Sequence, residues 1–475
     1  MDKLRLIANK ELVNKDKFAQ FMTPSIVAEY MADLFDMDNG DGKSFLDCGA
    51  GIGSLTVPVI KRKSNLSQID CWEIDPVMVK FLTLNMKEYN VNIHCSDFIQ
   101  DSIGLIKQGI RYDYIITNPP YKKITTNSKE RKSLRSVGIE TVNLYSAFLS
   151  LSIFLLKHNG QLVAIVPRSF CNGVYYKKFR ELILKHCSID YIHSFDSRKS
   201  IFSDDNVLQE NIIIKLTKRK QQESVVICYS YDDDFSKIKK HEVSFSEIVI
   251  KDDKNQFIRI PKMESIPNAE YPFNNDINNL ELSVSTGQIV DFRVKEFLQE
   301  NLSKNSYPLI YPHHFNNGNF TYPKHHKKPN AILNDEKIRK WLLPTNGCYI
   351  VVNRFSPKEN KKRIIANIIS PKMIDKDFIA IENHLNFFHL NKKGIDETIA
   401  KGLLCYLNSS VLDNYLRNFS GHTQINVGDL KSIPYPTKNE LLFLGSKYKA
   451  RMEQIEIDSL INEVISYGKT TSKNR

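Results

Sequence analysis

The sequence predicts an α/β protein, with a doubly wound, mostly parallel sheet in its first half and a second domain of mixed α+β character. Three observations predict this. From about residue 44 to 217, short apolar or β-branched runs alternate with segments of helical periodicity. Acidic residues recur just after successive runs, where sheets of this kind open a crevice. The alternation then stops at Lys218, Arg219 and Lys220, which puts the domain boundary between residues 222 and 223.

In chain order, the apolar runs at 45–48, 69–72, 114–117, 161–166 and 211–216 are expected strands, with helices over 76–89 and 143–157. The stretch 122–140 is rich in Lys, Ser and Thr and lacks a period, so it is expected to be a mobile loop. Two late helical patterns cover 398–417 and 440–467.

The composition narrows the function. With 475 residues the chain can hold two or three cores, and 66 Lys and Arg against 54 Asp and Glu leave a net charge of +12, which favours a polyanionic partner. Eight scattered cysteines without a CxxC pair signal neither disulfides nor zinc and point to a cytoplasmic protein. The charged amino terminus lacks the apolar core of a signal peptide. The longest apolar stretch, 144–156, is broken by Ser146, Ser150 and Ser152, so no membrane partner is expected. His313, His314, His325 and His326 sit as adjacent pairs without an acidic partner on one face, and no metal is assigned to them.

Four motifs carry chemistry. FLDCGAGIGSLT sets Asp47 and the glycines Gly49, Gly51 and Gly53 between a strand and a helix, where glycine lets the backbone turn sharply and approach a ligand. In CWEIDP, Glu73 can accept both hydroxyls of a ribose; in HCSDF, Asp97 can accept an adenine amino group beside the aromatic Phe98. In DYIITNPPY, an apolar strand ends at Asn118, and Pro119 and Pro120 force the backbone out of the sheet. An arylamine is a poor nucleophile because its lone pair is delocalised. If the Asn118 side-chain oxygen and the Pro119 carbonyl both accept hydrogen bonds from it, the nitrogen is drawn toward a tetrahedral shape, with Tyr121 stacked on the base.

Taken in order, QFMTP, LDCGAGIG, WEIDP, SDF, NPPY and NLYSAFL resemble the gamma class of N6-adenine DNA methyltransferases of type II restriction-modification systems. The resemblance covers residues 17 to about 217. It implies a seven-stranded methyltransferase sheet that binds S-adenosyl-L-methionine: Thr23, Asp47 and Gly49 at the methionine part, Glu73 at the ribose, Asp97 with Phe98 at the adenine, and Gly51 also against the cofactor. It also implies Asn118, Pro119, Pro120 and Tyr121 at the target base, and Phe202 on its second face, with Phe195 as the rival. Double-stranded DNA is the implied substrate and a separate restriction endonuclease the implied partner.

The carboxy-terminal segments more loosely resemble target-recognition domains, which assigns chemistry to 1–222 and DNA recognition to 223–475. Lys324, Lys327, Lys328, Lys358, Lys361, Lys362 and Arg363 suit phosphates. Asn353, Arg354, His422, Gln424 and Asn426 can present hydrogen-bonding forks to base edges. Two other readings use the same motifs: an NPPY methyltransferase acting on RNA or on protein glutamine, and a degenerate module that only holds DNA. Some 250 further residues of basic and aromatic sequence argue against the first, and the intact Asn118 to Tyr121 motif against the second.

Overall fold

The computed structural model describes residues 22–472, apart from 37–40, 196–209, 220, 231–234, 236, 252, 262–270, 317, 357–359 and 420–423. The chain divides into two units, Met1–Met263 and Glu264–Arg475.

The first unit is built on strands β1 (Ser44–Asp47), β2 (Gln68–Glu73), β3 (Asn92–Cys95), β4 (Tyr112–Thr117), β5 (Leu156–Pro167), β6 (Ser188–Phe195), β7 (Asn211–Thr217), β8 (Ser224–Ser230) and β9 (Lys239–Ser244). They form one sheet in the order β3-β2-β1-β4-β5-β7-β6-β8-β9. Strands β3, β2, β1, β4 and β5 run parallel to one another, and β7 is antiparallel to both β5 and β6. The chain leaves β1 toward β2 on one side and later returns to β4 on the other, so the sheet reverses direction between β1 and β4. That reversal opens the crevice at the carboxyl ends of these strands.

Side chains alternate strictly across the sheet. Phe45, Tyr114, Ile116, Val163 and Ile165 enter one core, with helices α1 (Ser25–Asp33) and α2 (Thr56–Arg62) packed on that face. Leu46, Ile115, Leu162 and Ala164 enter the other, under α4 (Phe98–Lys107) and α6 (Leu144–Leu155), while α3 (Pro76–Asn85) follows β2. Both faces are covered, which is why the strands read as continuous apolar runs.

Beyond the seven expected strands, Ser224–Ser230 pairs parallel with β6 and Lys239–Ser244 then covers the new edge with polar residues. The first unit accordingly runs past residue 222 to Met263. One sequence expectation changes here. The stretch 122–140 contains helix α5 (Lys129–Arg135), capped by Ser128 and anchored by the fully buried Leu134. Arg131 and Arg135 both close onto Glu140, so charge pairing supplies what apolar periodicity lacks.

The second unit pairs a four-stranded antiparallel sheet (Ser283–Thr286, Leu385–His389, Tyr349–Asn353, Ala366–Ile369) with a five-stranded mixed sheet that includes Ser306–Ile310 and Phe378–Ile381. Helices follow at Glu397–Leu407, Ser410–Phe419, Val427–Ser432, Lys438–Lys447 and Gln454–Ser472. The helical pattern at 398–417 is two helices, because Asn408 leaves the first to bond the N–H and C=O of Ala366 on the neighbouring sheet edge. Glu397–Leu407 and Lys438–Lys447 pack backbone to backbone: a Cβ on Gly402 would stand 1.9 Å from the Leu441 carbonyl oxygen.

Candidate active site

A cavity of 460 Å³ lies at the carboxyl ends of β1, β2 and β4. Topology alone brings Gly49 and Gly51 (after β1), Glu73 (end of β2), Asp97 with Phe98 (after β3) and Asn118 with Pro120 (after β4) to its wall. Thr23 joins them from the segment before α1.

The glycine turn requires glycine. Gly51 and Gly53 adopt left-handed φ of 55° and 84°, and a Cβ on Gly53 would lie 2.4 Å from the end of the Met86 side chain. Glu73 pins this turn: one carboxylate oxygen accepts the Gly51 N–H at 2.8 Å and the other accepts the Asp75 N–H at 2.8 Å. Burial pushes its carboxyl up from the ordinary range, opposed by those backbone N–H groups. Asp97 is the N-cap of α4, accepting the Ile99 N–H at 2.9 Å, and burial raises its carboxyl too. Phe98 packs against Phe148, ring centres 5.0 Å apart.

Asp47 does not line the cavity. It is fully buried beneath the turn and accepts the Thr56 hydroxyl at 2.7 Å, and burial pushes its carboxyl up to about 7. The structure thus places it beneath the glycine turn, against the first turn of α2.

Asn118 is held from two sides. Its amide nitrogen donates to the Thr23 hydroxyl at 3.1 Å, and its oxygen lies 3.3 Å from the Tyr121 hydroxyl, which also donates to the Ile165 carbonyl at 3.2 Å. The Tyr121 ring meets Tyr145 edge-on. Neither Pro119 nor Tyr121 is part of the cavity wall itself. Phe202 lies outside the described residues. Phe195, its rival, is buried in the core against His193 and Phe235 and presents no face to a ligand.

Sequence reasoning missed Lys122 and Lys123, which line the same cavity directly after the NPPY turn. Their signal was present as a basic pair following a motif, but it was read as the start of a loop. Met22, Ile52 and Met78 form an apolar cluster at the other side, and only packing reveals it.

In the second unit the named residues disperse. Arg363 is fully buried, and its backbone N–H bonds Asp413. The Lys362 ammonium donates to the Asn408 carbonyl at 2.7 Å, and burial lowers its pKa. Asn426 is the N-cap of helix Val427–Ser432, in a reciprocal capping box with Asp429. Arg354 donates to the Asn383 carbonyl at 2.8 Å. The Lys324 ammonium donates to the His313 carbonyl, and Lys328 pairs with Asp291. Lys327, Lys361 and Gln424 are exposed, while Lys358 and His422 lie outside the described residues. Burial holds His313 and His314 down to about 4, and among the described residues no three His, Cys, Asp or Glu side chains gather as a metal site. All eight cysteines are described and are free thiols. No described helix is long and apolar enough to cross a membrane.

A strand order of 3-2-1-4-5-7-6 with a glycine turn, two strand-end acids and an Asn-Pro-Pro-Tyr exit around one cavity defines the first unit as a methyltransferase. The comparisons agree. Residues 58–202 match the family described as Eco57I restriction-modification methylase. The chain is 44% identical to "Type II methyltransferase M.BsuBI" of Bacillus subtilis, over 98% of this chain and 97% of that protein. It is 40% identical to "Type II methyltransferase M.PstI" of Providencia stuartii, over 98% and 96% of the two chains. It therefore belongs to the type II methyltransferases of restriction-modification systems. In fold it resembles the type IIL restriction-modification enzyme MmeI, with a TM-score of 0.51 at 12% identity over 98% of this chain and 74% of that one.

Proposed function

We propose that this chain transfers a methyl group from S-adenosyl-L-methionine to the N6 of adenine at a specific site in double-stranded DNA, in the cytoplasm, as the modification partner of a separate restriction endonuclease. In this reading the first unit supplies the chemistry and the second selects the sequence.

The cavity residues fit the cofactor: the glycine turn admits a close ligand, the carboxylate of Glu73 stands at the cavity wall as a hydrogen-bond acceptor for ribose hydroxyls, and Asp97 stands beside the ring of Phe98. When bound, S-adenosyl-L-methionine supplies an electrophilic methyl group on a positively charged sulfur.

The observation that carries the reading is the orientation of Asn118. Thr23 takes one of its amide N–H groups at 3.1 Å, which holds the side chain at the cavity wall with its oxygen as the acceptor offered to an incoming amine. With the Pro119 carbonyl as second acceptor, the amine nitrogen is pulled out of conjugation. It attacks while neutral and gives up its surplus proton to water after the methyl group has been transferred, so no strong base has to act first. Such preorganised acceptors favour the transition state because they need not reorient during reaction. An adenine inside a duplex cannot reach this cavity, so the base leaves the stack, with Tyr121 as its stacking surface.

The test is nucleoside analysis of duplex DNA incubated with purified protein and labelled cofactor, without added metal. N6-methyladenine at one sequence motif is the expected product. Only N4-methylcytosine, or label only in RNA or protein, would refute the proposal.

A further inference from the structure

We propose that His384, held by the buried carboxylate of Glu382, reads a base edge of the DNA. This rests on the reading of the second unit as the sequence-selecting part.

Residues 382–384 form the tight turn between Phe378–Ile381 and Leu385–His389, and every part of that turn is fastened. The Glu382 N–H donates to the Ile310 carbonyl at 3.0 Å, the Asn383 N–H to Ile289 at 2.9 Å, and the Leu385 N–H back to Glu382 at 3.1 Å. Gly287 lies so close beneath that a Cβ there would stand 2.1 Å from the Glu382 carbonyl oxygen. From this rigid turn two polar side chains part company: the Glu382 side chain is 2% exposed and that of His384 is 63% exposed.

A buried carboxylate is costly unless its oxygens are satisfied. Glu382 spends one oxygen on the His384 N–H at 2.9 Å and the other on His384 Nδ1 at 2.5 Å. A surface histidine present only for solubility needs no such anchor. Here the carboxylate selects the Nδ1–H form and fixes the ring, so Nε2 is the edge left for a partner.

The surroundings match a base-reading face. The His384 carbonyl accepts the Arg354 N–H at 2.9 Å, and the Arg354 carbonyl accepts the Ile425 N–H at 2.7 Å. Phe355, 62% exposed, pairs with the exposed Gln424 through a β-bridge. Arg354 and Gln424, two forks named from the sequence, thus belong to backbone tied to the turn that carries His384. Nε2 accepts from an adenine or cytosine amino group when neutral and donates to a purine N7 when protonated. Both are major-groove contacts.

The experiment uses full-length protein. Wild type, His384→Ala and Glu382→Gln each select from a duplex library randomised one base pair at a time around the wild-type site, with melting temperatures and the salt dependence of binding measured in parallel. His384→Ala is expected to keep the wild-type melting temperature and to lose about 10-fold discrimination at one base pair, within the 5- to 150-fold range of a single base contact, roughly. Glu382→Gln should loosen the same base pair less. Unchanged discrimination everywhere overturns the inference, as does a uniform weakening with a shallower salt slope, which would mark a phosphate contact. If wild type itself selects no sequence, the reading of the second unit fails, and the inference falls with it for that separate reason.

Discussion

Asn118, Glu73 and Asp97 leave three different strands of the first unit and meet at one cavity, whereas Lys362, Arg363 and Asn426 of the second unit turn back into their own fold. The difference lies in what places each side chain. A residue just past the carboxyl end of a parallel strand is delivered to the crevice by the sheet. A lysine or asparagine in irregular chain meets nearby orphan carbonyls and N–H groups first, and capping one of them competes with reaching a ligand. Chemically capable side chains therefore gather at one cavity where topology aims them, and scatter where it does not.

Stability against pH gives the largest expected contrast. Burial pushes Asp47 of the first unit up to about 7 and Asp429 of the second up to about 6. A raised folded-state pKa means the folded protein binds more protons than the unfolded chain. This stability is complete below the ordinary carboxyl range, near pH 4, and is lost as pH rises through the folded pKa. Between pH 4 and 8 the Asp47 contribution amounts to roughly 4 kcal/mol at about 1.4 kcal/mol per unit. Asp47→Asn should flatten the melting-temperature profile between about pH 4 and 7, and Asp429→Asn between about pH 4 and 6. Profiles superimposable on wild type would show that burial does not govern these groups.

Arg363 comes next. Its guanidinium is fully buried and its charge favours the ionised form of Asp429, so Arg363→Ala should cost about 3 kcal/mol of stability. Chemical denaturation measures this; a fully stable variant that binds DNA weakly would restore Arg363 to the phosphate contacts.

For Asn118 the expected change is in turnover. Asn118→Ala should lose about 100-fold in single-turnover rate, the scale of removing one preorganised hydrogen bond, while cofactor affinity measured by calorimetry stays within twofold. Thr23→Val should show a smaller loss of the same kind, and Thr23→Ser should recover most of it. Near wild-type turnover in Asn118→Ala would break the mechanism.

The smallest effects separate adjacent lysines. Lys362→Ala should lower stability by about 1 kcal/mol, because a charged donor is taken from the Asn408 carbonyl at a helix end. The exposed Lys361→Ala should leave stability alone and reduce the salt slope of DNA binding by about 1. Identical behaviour of the two would erase the distinction between committed and available cations.

What was legible in the sequence by itself was the part governed by local pattern: five strands of the large sheet, the glycine turn, and the strand-end positions of Glu73, Asp97 and Asn118, because strand period and strand-end position fix where those side chains go. Tertiary structure alone decided the rest. It sank Asp47 below the cavity, added β8 and β9 to the sheet, made α5 from a segment without apolar period, and set Thr23 against Asn118 across 95 residues of chain. It also buried Arg363 and exposed His384. The physical reason is common to all of these. A polar side chain pairs with whatever donor or acceptor the completed packing brings within about 3 Å, and most such partners are distant in sequence.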